Sequence, residues 1–126
     1  MTTTRKRLPP DRPSITHKVE ILDATGGKYD LYITVGFYPR KDGKRGQPGE
    51  LFLKMGKIGS TMRGVLDLLG VQTSMLLQYG VPLTVICKKI RGVSFEPSGT
   101  TNNANIPTCT SIADYVFSWL EKEFVK

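Results

Sequence analysis

The run Tyr29-Asp-Leu31-Tyr-Ile33-Thr-Val35-Gly-Phe37 decides the fold class. Leu31, Ile33, Val35 and Phe37 alternate with Tyr32, Thr34, Gly36 and Tyr38, the two-residue period of a half-buried strand. Upstream, His17-Lys-Val19-Glu-Ile21 supports a strand over Val19–Leu22, and the Gly26-Gly27 pair between the two runs reads as a hairpin turn. Downstream, Pro39 to Gly49 collects Arg40, Lys41, Lys44 and Arg45 among Gly43, Gly46 and Pro48, which predicts a mobile loop. Alternation returns in Glu50-Leu51-Phe52-Leu53-Lys54-Met55 and gives a third strand over Leu51–Met55.

Beyond Gly59 the period changes. Met62, Val65, Leu66, Leu69, Met75, Leu76 and Tyr79 fall at helical spacing, with Leu68, Val71 and Leu77 widening the stripe. A helix over Thr61–Tyr79 is expected, capped by Ser60 or Thr61 and closed by Gly80; its wide apolar stripe predicts that it is buried on more than one side and covers one face of the sheet. Pro82 opens a shorter helix through Ile90, ended by Gly92. Val93 to Pro107 carries no periodicity and reads as a long loop, a length that often signals function. The last helix, from Thr110 to Val125, carries Ile112, Tyr115, Val116, Trp119, Leu120 and Phe124 on one face, with Ser111 and Asp114 as a capping box. Strands followed by helices define an α+β domain: an antiparallel sheet of at least three strands, then three helices, packed in two layers. Residues 1–16, basic and interrupted by Pro9, Pro10 and Pro13, read as an extended arm, and 17–126 as a single domain.

Composition narrows the function. A chain of 126 residues suits one domain. The net charge of +7 favours an anionic partner: a nucleotide, a nucleic acid or an acidic protein surface. Nucleic acid is the weaker choice, because only Tyr38 adjoins the basic loop and stacking aromatics are sparse. Cys87 and Cys109 lack CxxC spacing and His17 is the sole histidine, so neither a metal nor another cofactor is expected. Cys87 sits among Val85 and Ile86 and is expected to be buried and inert, whereas Cys109, near a helix start, could have a lowered pKa, although no partner is visible. Met1–Arg7 is basic without a following apolar region, and no apolar run approaches a membrane span; a cytoplasmic protein is expected.

Six stretches in one register are more specific. Arg7-Leu8-Pro9 with Ser14-Ile15-Thr16-His17-Lys18, Pro48-Gly49-Glu50-Leu51-Phe52, Gly59-Ser60-Thr61 with Gly64, Leu77-Gln78-Tyr79-Gly80-Val81-Pro82-Leu83, Phe95-Glu96-Pro97-Ser98-Gly99, and Ile112, Asp114-Tyr115 with Phe117-x-Trp119-Leu120 cover Arg7 to Leu120. Together they resemble the carboxy-terminal accessory domain, of TSCPD type, of vitamin B12-dependent class II ribonucleotide reductases. Those enzymes carry radical chemistry on a large barrel and usually end in a cysteine-rich tail. This length leaves no room for the barrel, and no cysteine pair follows Trp119. The resemblance therefore implies a non-catalytic domain, either accessory to a reductase catalytic chain or an independent module that holds a nucleotide-derived ligand as a sponge or sensor, of a kind from which a phage would gain. No general acid and base pair is visible, so no catalytic residue is assigned.

Two segments are candidates for a ligand. Lys57, Gly59, Ser60, Thr61 and Arg63 surround a helix start, where unpaired amides, hydroxyls and cations favour phosphate; Arg91 could add charge. The alternative is an ordinary capped helix with solvated cations. Phe95, Ser98, Thr100 and Asn102 could stack on a base and bond its edge or ribose, or Phe95 could instead plug the core of an Ω-type loop. The surplus of apolar helix surface further predicts a homo-oligomer.

Overall fold

A computed structural model describes residues 4–56 and 58–125. The order is β1 (Ser14–Asp23), β2 (Lys28–Pro39), β3 (Arg45–Met55), α1 (Ser60–Gln78), α2 (Leu83–Ile90), β4 (Gly99–Thr101), β5 (Thr108–Cys109) and α3 (Ile112–Phe124). The strands form one antiparallel sheet in the order β3-β2-β1-β4-β5, so the α+β class and the three expected helices hold. Two short strands enter between α2 and α3, which corrects the expected run of unbroken helices. The chain divides into two compact units. One comprises Met1–His17, Tyr32–Lys54 and Ile58–Pro82; the other comprises Lys18–Leu31, Met55–Lys57 and Leu83–Lys126.

The register of β2 is as the alternation requires: Leu31, Ile33, Val35 and Phe37 are buried, while Tyr32 faces solvent. β1 is longer than Val19–Leu22 and begins just after Pro13, the last residue there without an amide donor. Thr16 and Thr34 hydroxyls pair across β1 and β2 at 3.0 Å. β3 is also longer. Arg45 to Gly49, expected as loop, is strand, and the real turn is only Arg40 to Lys44. It is closed by Arg40 N–H to Lys44 O at 2.7 Å and by Gly43 at φ 78°. Pro48 is compatible with this strand because β3 lies at the sheet edge, where one side of the ladder needs no donor.

In the first unit α1 lies along β3, but not by its apolar stripe. Its buried residues are Leu66, Gly70, Thr73, Ser74 and Gln78. Ser74 Oγ accepts from Leu51 N–H at 2.8 Å, and Gln78 Nε2 donates to Gly49 O at 3.0 Å. A Cβ on Gly70 would meet Leu51 O at 2.9 Å. The helix thus covers an edge strand and satisfies its free backbone groups with small and polar side chains. Val65, Leu68, Val71, Met75 and Leu76 point outward and are 41–59% exposed. The expectation that the stripe would be buried is overturned because an edge needs hydrogen-bond partners rather than apolar area.

Helix ends follow sequence chemistry in part. Gly59, not Ser60 or Thr61, is the N-cap of α1, and no side chain caps it; Ser60 already belongs to the helix. At the other end Gly80, at φ 88°, donates to Leu77 O at 3.0 Å while Val81 donates to Leu76 O at 2.9 Å, the paired bonds of a Schellman closure.

In the second unit α2 packs on α3. Ile112, Tyr115, Val116, Phe117, Trp119 and Leu120 are buried, and the Trp119 and Phe124 rings meet edge to face at 5.5 Å. Half of the capping box is present: Ser111 Oγ accepts from Asp114 N–H at 2.9 Å, whereas the Asp114 carboxylate accepts from Thr110 N–H, one residue before the cap, at 2.9 Å and from Gly92 N–H at 2.6 Å. β4 pairs with β1 through Ile21 and Thr101, Leu22 and Thr100, and Asp23 and Gly99.

Candidate functional site

The expected ligand residues fall in both units. Gly59, Ser60, Thr61 and Arg63 form an exposed helix start in the first, with Arg63 N–H bonded to Gly59 O at 3.1 Å. Lys57 lies outside the described residues. In the second unit Arg91 is engaged with Glu121 at 2.6 Å. Phe95, Ser98 and Thr100 line an open cavity of about 590 Å³ with Thr108, Cys109 and Thr110. Phe95 is 39% exposed, so it does not plug the core. Asn102 serves the sheet instead: its Oδ1 accepts from Glu20 N–H at 2.9 Å and its own N–H donates to Glu20 O at 3.2 Å, prolonging the β1 to β4 ladder.

Cys109, on that cavity wall, is 5% exposed, and burial pushes its thiol above the ordinary range against a bond from the Gly99 amide. Cys87 is fully buried, and burial raises its thiol to about 11, with the Glu121 carboxylate adding to the effect. Neither thiol is poised as a thiolate, and the lowered pKa that a helix start could give Cys109 is overturned because burial outweighs it. Among the described residues no group of three or more His, Cys, Asp and Glu side chains is arranged to hold a metal ion. No helix there is long and apolar enough to cross a membrane.

The first unit contains a second concavity that the sequence pattern did not single out. It measures about 490 Å³ and is bounded by the amino-terminal arm, residues 50–53 of β3 and one side of α1. Arg5, Arg7 and Arg12 line it from the arm, and Asp67, Val71, Ser74 and Gln78 from the helix. The arm is held in place. Lys6 N–H donates to Gln78 O at 2.9 Å, Phe37 N–H donates to Pro13 O at 2.9 Å, and the Lys6 ammonium lies 4.9 Å from the Tyr38 ring centre. The Tyr38 hydroxyl donates to Lys6 O. Arg5 Nε donates to Gln78 Oε1 at 2.6 Å, and Arg12 pairs with Glu50 at 2.8 Å. The one signal in the sequence was local: Arg5 and Arg7, two apart on an extended segment, fall on the same side.

These features define an α+β domain with a sheet edge sealed by a polar helix face, two buried thiols and an arginine-lined groove. The TSCPD domain pattern matches residues 3–124, and the chain belongs to that domain family. It is 43% identical over 121 residues to the vitamin B12-dependent ribonucleotide reductase of Rhodopirellula baltica, covering 96% of this chain and 11% of that protein. Identity to the vitamin B12-dependent ribonucleotide reductase of Streptantibioticus cattleyicolor is 41%, over 96% of this chain and 18% of the relative. For the protein of the same name from Agrobacterium fabrum it is 34%, over 96% and 9%. The chain therefore spans only 9–18% of the length of these relatives. No solved structure matches it significantly.

Proposed function

We propose that the chain is a non-catalytic accessory domain for ribonucleotide reduction, which docks on the catalytic part of a vitamin B12-dependent reductase through the outer face of α1. The observation that carries this reading is the outward placement of Val65, Leu68, Val71, Met75 and Leu76 on a helix that buries only Leu66 of its large apolar residues, beside Gly70, Thr73, Ser74 and Gln78. A contiguous exposed apolar face of this kind marks an interaction surface on a soluble domain. The choice of partner rests on the relatives. There the matching segment is a small share of a polypeptide whose remainder is joined to it, so the remainder is the surface at hand. The buried, raised thiols of Cys87 and Cys109 favour a structural part over a thiol relay.

A reductase from which the matching segment has been deleted provides the functional test. Adding this chain in trans is expected to restore part of the lost ribonucleotide reduction, and the variant Leu68→Lys is expected not to. Restoration that is equal for both, or absent for both, contradicts the reading.

A further inference from the structure

We propose that the groove between the amino-terminal arm and α1 binds a nucleoside phosphate. The volume of about 490 Å³ is of the size that small-molecule sites occupy. Its cations are unequally committed. Arg12 is neutralised by Glu50 and also bonds the carbonyls of Pro9 and Pro10 at 3.1 and 3.2 Å. Arg5 is steered into the groove by its Nε bond to Gln78, which leaves the two outer nitrogens of the guanidinium as donors. Arg7 is exposed and makes no ion pair among the described residues. Two guanidiniums lining the groove from the pinned arm present planar forks, the geometry that matches phosphate oxygens.

The same groove holds an open aromatic surface. Phe52 is 55% exposed and Val71 56%, both on its lining. A phenyl ring beside phosphate-directed cations can stack on a nucleobase, because every base presents a π face. Asp67, on the helix wall, supplies an acceptor for ribose hydroxyls and disfavours a ligand that is only polyanionic. Because the arm is already bonded to Gln78 and Phe37, little ordering is left to be done on binding. The groove borders the docking face at Val71, but Leu68 is not on its lining, and its ligand class does not depend on the reductase reading.

Calorimetry of the full chain with ADP and with inorganic pyrophosphate tests it. The wild-type chain is expected to bind ADP more tightly than pyrophosphate. Arg7→Ala should weaken ADP at least about tenfold at low salt and less at high salt, since exposed charge is screened. Phe52→Ala should weaken ADP by about 5- to 100-fold and leave pyrophosphate unchanged. Both side chains are exposed, so the fold is retained, and Leu68→Lys should bind ADP as the wild type does. Absence of ADP binding at millimolar concentration overturns the proposal. So does equal affinity in all variants, pyrophosphate matching ADP, or an acidic peptide that fills the groove and is not displaced by ADP.

Discussion

The hydroxyl of Ser74 accepts a hydrogen bond from the amide of Leu51 at 2.8 Å and donates to Gly70 O at 2.8 Å, so one buried side chain joins α1 to the edge strand. Ser74→Ala removes the partner of a buried amide, which costs about 1–3 kcal/mol. Urea unfolding is expected to show a lower midpoint with an unchanged slope. A variant as stable as the wild type would mean that the strand edge is not sealed in this way.

Gly70→Ala sets two effects against each other. Alanine is favoured in a helix by about 0.8–1 kcal/mol, yet its Cβ would stand 2.9 Å from Leu51 O, a backbone atom that cannot swing away. Overpacking of this kind costs about 1–3 kcal/mol, so net destabilisation is expected. An increase in stability would show that the helix is free to move off the strand.

The orientation of α1 can be read from a pair of leucines two positions apart. Leu66 is 3% exposed and Leu68 59%. Leu66→Ala should cost about 2–5 kcal/mol, whereas Leu68→Lys should stay within about 0.5 kcal/mol of the wild type. Thermal or urea unfolding compares them directly, and the reverse ranking would restore the buried stripe suggested by periodicity.

The thiols give a pH test. For both cysteines the folded pKa is raised, so the folded state holds its protons longer than the unfolded chain. Their contribution to stability is present below the unfolded thiol value near 9 and, for Cys87, is lost as pH rises toward about 11. At pH 8 the native thiols are expected to resist iodoacetamide and to react once urea unfolds the chain. Rapid alkylation of the native protein would contradict their burial.

The sequence made β2 legible because Leu31 to Phe37 alternate without interruption, and α3 legible because Ser111 and Asp114 announce its start. α1 was found but turned the wrong way round. Periodicity reports which residues share a face, and here the apolar face is the outer one because β3 needs Ser74 and Gln78 beside it. β4 escaped notice since Gly99–Thr101 is too short for any period, and its register is fixed by partners in β1 far back in the chain. The groove was hidden for the same reason. Arg5 and Gln78 are 73 positions apart, and charge alone reads as solvated until the fold brings an acceptor to it.

Association with the reductase is the claim on which the functional account stands. Light scattering of this chain mixed with a vitamin B12-dependent reductase lacking the matching segment should detect a complex that Leu68→Lys abolishes, with Arg7→Ala still competent. No complex, a complex indifferent to Leu68→Lys, or self-association of the chain through this face in place of the complex would contradict the account.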